Sequence, residues 1–89
     1  MNSIEQHRAR ITEIDTHIVA LLAQRFSCVR AIGLAKKEQG APVLDLKRED
    51  ALRDIYSELA QQHGLDASFV MHYLDIVLAE SKRIQRQGT

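Results

Sequence analysis

The sequence predicts an all-α fold: three helices, one very long and two shorter, in a single domain over residues 1–89. Three observations carry this. Apolar residues recur at helical spacing from Ile4 to about residue 39, and again in two later segments. Breakers are scarce, with one proline and four glycines in 89 residues, and three of those glycines fall at or near predicted element ends. No stretch alternates apolar and polar residues as a half-buried strand would, and no internal repeat or low-complexity segment interrupts the pattern.

The first helix is predicted over about 4–39. Ser3 followed by Gln6 reads as a capping box at its start, and Gly40-Ala41-Pro42 ends it. Gly33, inside the helix, costs about 1 kcal/mol relative to alanine; it either permits close backbone approach or is simply tolerated. Asp45 caps a second helix over about 46–62, with Leu52, Ile55 and Leu59 as its apolar stripe, and Gly64 suits the turn after it. Asp66 caps a third helix over about 67–86, with Val70, Tyr73, Leu74, Val77 and Ile84 as its stripe.

The first helix is too long for a compact monomer. About 36 residues at 1.5 Å rise give roughly 54 Å, whereas a globule of this size has a radius of gyration of about 12 Å. The excess helix has seam residues to bury and no intrachain partner for all of them. A second copy packed antiparallel along the seam solves this, so an intertwined homodimer is expected.

Twelve basic residues balance twelve acidic ones. A neutral chain argues against a nucleic-acid partner, which would ask for a basic face. The single cysteine excludes an internal disulfide, and Cys28 on the seam reads as a small buried hydrophobe. Residues 1–10 lack the apolar core of a signal peptide, and no unbroken run of about eighteen apolar residues predicts a membrane span. A cytoplasmic location is the expectation. The histidines fall at spacings that make no i,i+3 or i,i+4 ligand pair, so no metal is expected. No phosphate loop or nucleophile–base motif is present.

Polar residues on apolar stripes are the chemical signal. Written as heptads, one seam position reads Ile4, Ile11, Ile18, Arg25, Ile32, and the other reads His7, Ile14, Leu21, Cys28, Ala35. Arg25 must desolvate there, which is costly without an anion, unless that part of the helix is frayed. Lys36 lies three turns on, about 20° away around the helix and roughly 16 Å along it. Two long cations so placed can converge on one small dianion, although a lysine in the last turns also snorkels and favours the helix dipole. On the third helix Ser81 and Gln85 are i,i+4 neighbours, which suggests a lined cavity or else a polar last turn. Arg48, one turn before Leu52, faces inward or rims the site. Asp45 and Glu49 suit ordinary helix capping and dipole chemistry, and Glu49 could still accept a hydrogen bond from a ligand hydroxyl. Arg8 flanks the seam about 25 Å from Arg25 and cannot share a ligand with it in its own helix; it is either a surface arginine or, across an antiparallel dimer, enters the partner's site.

The ordered set resembles the all-helical (AroQ-type) chorismate mutase family over nearly the whole chain. The segments that carry the resemblance are Arg8–Asp15, Ile18–Arg25, Ile32-Gly33-Leu-Ala-Lys36, Pro42–Glu49, Gly64–Val70 and Ser81-Lys-Arg-Ile-Gln85. The resemblance implies an intertwined dimer with two equivalent sites and no cofactor. It implies that Arg25, and Arg8 from the other chain, bind the two carboxylates of chorismate. Lys36 and Gln85 would address the ether oxygen, Glu49 and the Asp45 region would hold the ring hydroxyl, and Arg48 and Ser81 would complete the lining. The implied reaction is the [3,3] rearrangement to prephenate, in aromatic amino acid biosynthesis. An isochorismate pyruvate-lyase resembles the same fold and also needs cations around a dianion; a 4-amino-4-deoxychorismate mutase fits as well, because Glu49 could receive an ammonium as readily as a hydroxyl. A non-enzymatic helical dimerisation module explains the long seam but not Arg25, Ser81 and Gln85.

Overall fold

The computed structural model describes residues 2–87. Three α-helices follow in order, α1 Ser3–Gln39, α2 Leu46–Gln62 and α3 Ala67–Gln87, with no strand among the described residues. These bounds match the sequence expectation to within a residue. The start of α1 differs in one respect. Its cap is Asn2, extended at φ −81° and ψ 119°, whose Oδ1 accepts the Ile4 N–H at 2.9 Å. Asparagine caps as well as serine does, so the helix begins one residue early and Ser3 enters its first turn.

The other ends follow their residue chemistry. Gly40 takes the left-handed φ of 68° that closes α1. Asp45 accepts the Arg48 N–H at 3.0 Å, and Asp66 accepts the Phe69 N–H at 2.8 Å. Gly64, at φ 65°, turns the chain between α2 and α3.

α3 is the central element, packing on α1 along one side and on α2 along another, while α1 and α2 do not pack together. Its Val70, Leu74, Val77, Leu78 and Ile84 supply most of the buried core, joined by Val29 from α1 and Ala60 from α2. Of the expected α3 stripe only Tyr73 stays substantially exposed; its ring stacks on Tyr56 of α2, with centroids 6.4 Å apart. α2 is rotated from the face expected for it. Ala60 is buried and Leu52 and Tyr56 are half-buried, an i,i+4,i+8 stripe, whereas Ile55 and Leu59 are exposed. Small Ala60 allows the close approach to α3, and the Tyr56–Tyr73 stack and the Arg53–Asp75 ion pair at 2.7 Å fix that rotation.

The molecule measures 58 × 27 × 15 Å with a radius of gyration of 16.5 Å, well above the roughly 12 Å of a compact chain of this length. Only Val29 and Gly33 of α1 are buried. Ile4, Ile11, Ile14, Ile18 and Leu21 stand exposed along its first half. Cys28 is exposed too in the single chain, contrary to the expectation of burial. By length and composition α1 is also apolar enough to cross a membrane. The search for an unbroken apolar run missed this, because Arg25 and Arg30 interrupt the run without outweighing its average. One such helix is weak evidence of a span, since core helices of soluble proteins and signal sequences meet the same criterion.

Candidate active site

The three helices enclose a hollow of about 400 Å³ at the C-terminal half of α1. Seven of the eight residues singled out from sequence line it: Arg25 and Lys36 from α1, Asp45, Arg48 and Glu49 from the start of α2, and Ser81 and Gln85 from α3. Val29, Ile32, Val43, Leu52 and Leu78 form its apolar walls. Arg8 is absent from it. That residue lies on the projecting half of α1, fully outside the hollow of its own chain.

Several of these polar side chains are held by local structure. The Arg25 guanidinium donates from Nη1 to Ser81 Oγ at 2.8 Å, and Ser81 in turn donates to the Val77 carbonyl at 2.7 Å. Ser81 is buried, so this chain of bonds orients the arginine from behind. No carboxylate lies within ion-pair distance of Arg25 among the described residues. Its charge is half-buried and meets a hydroxyl instead of an anion. The Lys36 ammonium donates to the Val43 carbonyl at 2.8 Å, which ties the end of α1 to the connector and leaves two more N–H donors for the hollow. Asp45 enters the lining chiefly as the α2 cap, with Oδ1 engaged by the Arg48 N–H.

Gln85 is the most exacting member. Its Oε1 is buried with no hydrogen-bond partner among the described residues, and a buried acceptor so placed favours an incoming donor. Gly33 explains how the residue gets there. A Cβ at position 33 would lie 3.1 Å from the Gln85 Cα and 3.2 Å from its Cγ. The absent side chain lets α3 approach α1 at the level of this amide, so close approach is the use of Gly33.

Sequence reasoning missed Lys82. It lines the hollow beside Ser81, and its Nζ lies 3.0 Å from Glu49 Oε2, with side-chain exposures of 25% and 13% respectively. The signal was present: Lys82 is four residues after Leu78 and three before Gln85, hence on the same face. With it, the hollow gathers four cations (Arg25, Lys36, Arg48, Lys82) against two carboxylates (Asp45, Glu49), an excess of two positive charges. A second hollow between α1 and α3, near Phe26 and Tyr73, is largely apolar; its one acid, Glu80, and one base, Arg83, pair with each other.

Among the described residues the hollow thus combines two surplus positive charges with an unpaired amide oxygen. Residues 7–86 match the family described as chorismate mutase type II. The chain belongs to this family. Among curated relatives it is similar to a chorismate mutase of Methanocaldococcus jannaschii, 28% identical over 98% of this chain and 88% of the relative. It is also similar to a 4-amino-4-deoxychorismate mutase of Streptomyces venezuelae, 25% identical over 94% of this chain and 82% of that one. A bifunctional chorismate mutase/prephenate dehydratase of Escherichia coli K12 is 30% identical over 89% of this chain, which spans only 20% of that longer protein.

Proposed function

We propose that this chain catalyses the rearrangement of chorismate to prephenate and works as an intertwined homodimer. The enzyme is an isomerase of the chorismate mutase family. The observation that carries the site assignment is Arg25: half-buried, braced by Ser81 at 2.8 Å, and facing a hollow with two surplus positive charges.

The chemistry suits these residues. One C–C bond forms as one C–O bond breaks within a single molecule, with no proton transfer. The work is therefore to fold the enolpyruvyl arm over the ring and to stabilise charge that grows on the ether oxygen. Arg25 holds one carboxylate in a fork of parallel hydrogen bonds. Arg8 of a second copy holds the other, which gives the exposed seam of α1 a function beyond association. Lys36 and the Gln85 amide group, turned to present its NH₂, meet the ether oxygen. A preorganised donor at such a point contributes about 10²–10³ in rate. Glu49, with the Asp45 region, receives the ring hydroxyl, while Arg48 and Ser81 complete the polar wall.

The dimer rests on the seam. Ile4, Ile11, Ile14, Ile18 and Leu21 are each 41% exposed or more in the single chain, and an antiparallel second helix would cover them. A cytoplasmic location goes with the same reading. The test mixes purified protein with chorismate and follows the loss of its absorbance. Turnover to prephenate is expected; no turnover with full helicity retained would leave only a helical dimerisation module.

A further inference from the structure

The unforeseen Lys82–Glu49 pair bears on which substrate the hollow accepts. The two residues come from different helices, α3 and α2, and meet within the hollow at 3.0 Å. Both are mostly buried, Glu49 the more so, so their interaction is less screened than that of a surface pair. One carboxylate oxygen of Glu49, Oε2, is already occupied by an ammonium, and Oε1 makes no hydrogen bond or ion pair among the described residues.

Resting on the mutase reading and its placement of Glu49 at the ring substituent, we infer that Lys82 is a specificity-determining residue that selects a ring hydroxyl over a ring ammonium. A hydroxyl is neutral and can donate to Oε1 while Lys82 keeps Oε2. An ammonium at the same point stands within a few ångströms of the Lys82 Nζ. Two like charges there repel, and the single Glu49 carboxylate must be shared between them. Asp45, the other acid of the lining, has Oδ1 engaged at the α2 cap, and its single charge is outweighed by the cations around it. Arg48 and Lys36 add positive charge to the same space. Rejection of the amine is thus built from charge, through a residue that touches Glu49 and need not touch the reacting bonds. Without Lys82, Glu49 would be free to pair with an ammonium.

The experiment measures kcat/KM for chorismate and for 4-amino-4-deoxychorismate, side by side, in the wild type, Lys82→Met and Lys82→Arg. Methionine keeps the length of the side chain and removes its charge; arginine keeps the charge. Wild type is expected to favour chorismate. Lys82→Met should move the ratio toward the amine by about tenfold or more, as expected for removing one like-charge contact in a half-buried site. Lys82→Arg should keep the wild-type preference. The ratio cancels any shared loss of folded protein. An unchanged ratio in Lys82→Met, or a wild type that prefers the amine, overturns the inference while leaving the mutase reading intact. A wild type that turns over neither compound, with helicity retained, overturns the mutase reading and the selectivity with it.

Discussion

The two halves of α1 carry the same heptad seam and have opposite fates. From about residue 22 onward the helix lies on α3, buries Val29 and Gly33, and presents Arg25 and Lys36 to a polar hollow. Before that point it projects, with five apolar seam side chains uncovered. One half is wall, and the other is arm. An apolar period says that a face will be covered; it does not say whether the cover comes from the same chain. The polar interruption at Arg25 marks the half where the chain covers itself and builds a site.

The largest effect is expected in the wall half. Arg25→Ala should lower kcat/KM by about 10²–10³, since it removes a charged anchor from a desolvated pocket. Circular dichroism and sedimentation should show helicity and assembly unchanged, because the seam isoleucines are untouched. In the arm half the damage should instead depend on concentration. Ile11→Asp should weaken association by about 10²-fold, because each copy loses a buried apolar contact and gains an uncovered charge. Activity per chain should then fall on dilution and recover at high protein concentration. Equal loss at every concentration would erase the distinction between arm and wall.

A smaller effect probes how the wall is aimed. Gly33→Ala gains about 1 kcal/mol of helix propensity yet places a Cβ 3.1 Å from the Gln85 Cα. Stability should stay near wild type while kcat falls about tenfold, because α3 must shift by a few tenths of an ångström under the amide. Unaltered kcat would show that Gln85 tolerates that shift. Gln85 carries no titratable group, so the rate should stay nearly flat from about pH 6 to 8; a sharp loss of kcat across neutrality would point to another donor.

The smallest effect lies on the surface of α3. The Arg83 guanidinium, hydrogen-bonded to Glu80, holds that carboxylate below its usual range. A depressed carboxylate stabilises the fold above its unfolded pKa, near 4.3, and loses that contribution as pH falls through the folded value. Glu80→Gln should therefore lower Tm slightly at pH 7, and the difference from wild type should vanish in acid. Exposure of the pair keeps the effect small.

Local chemistry carried most of what could be read in advance. Asp45, Asp66, Gly40 and Gly64 state the helix ends in their own side chains and backbone preferences, and the structure follows them. Arg25, Lys36, Ser81 and Gln85 were visible because each breaks an apolar stripe. Lys82 was not, because a lysine beside a serine on a charged helix looks solvated until α2 brings Glu49 to it. The face of α2 was misread for the same kind of reason. Ala60 is the buried contact, and only the α3 surface opposite decides between it and the larger Ile55 and Leu59. Cys28 looked buried because the seam pattern does not name its cover.

The central claim is that the arm of one chain completes the wall of another through Arg8 and Arg25. Arg8→Ala and Arg25→Ala chains, each nearly inactive alone, should be unfolded, mixed in equal amounts and refolded together. In a two-fold dimer with Arg8 acting in trans, half the assemblies are mixed and each holds one intact site. The mixture should therefore regain about a quarter of wild-type activity. A mixture no more active than its two parents would contradict the account.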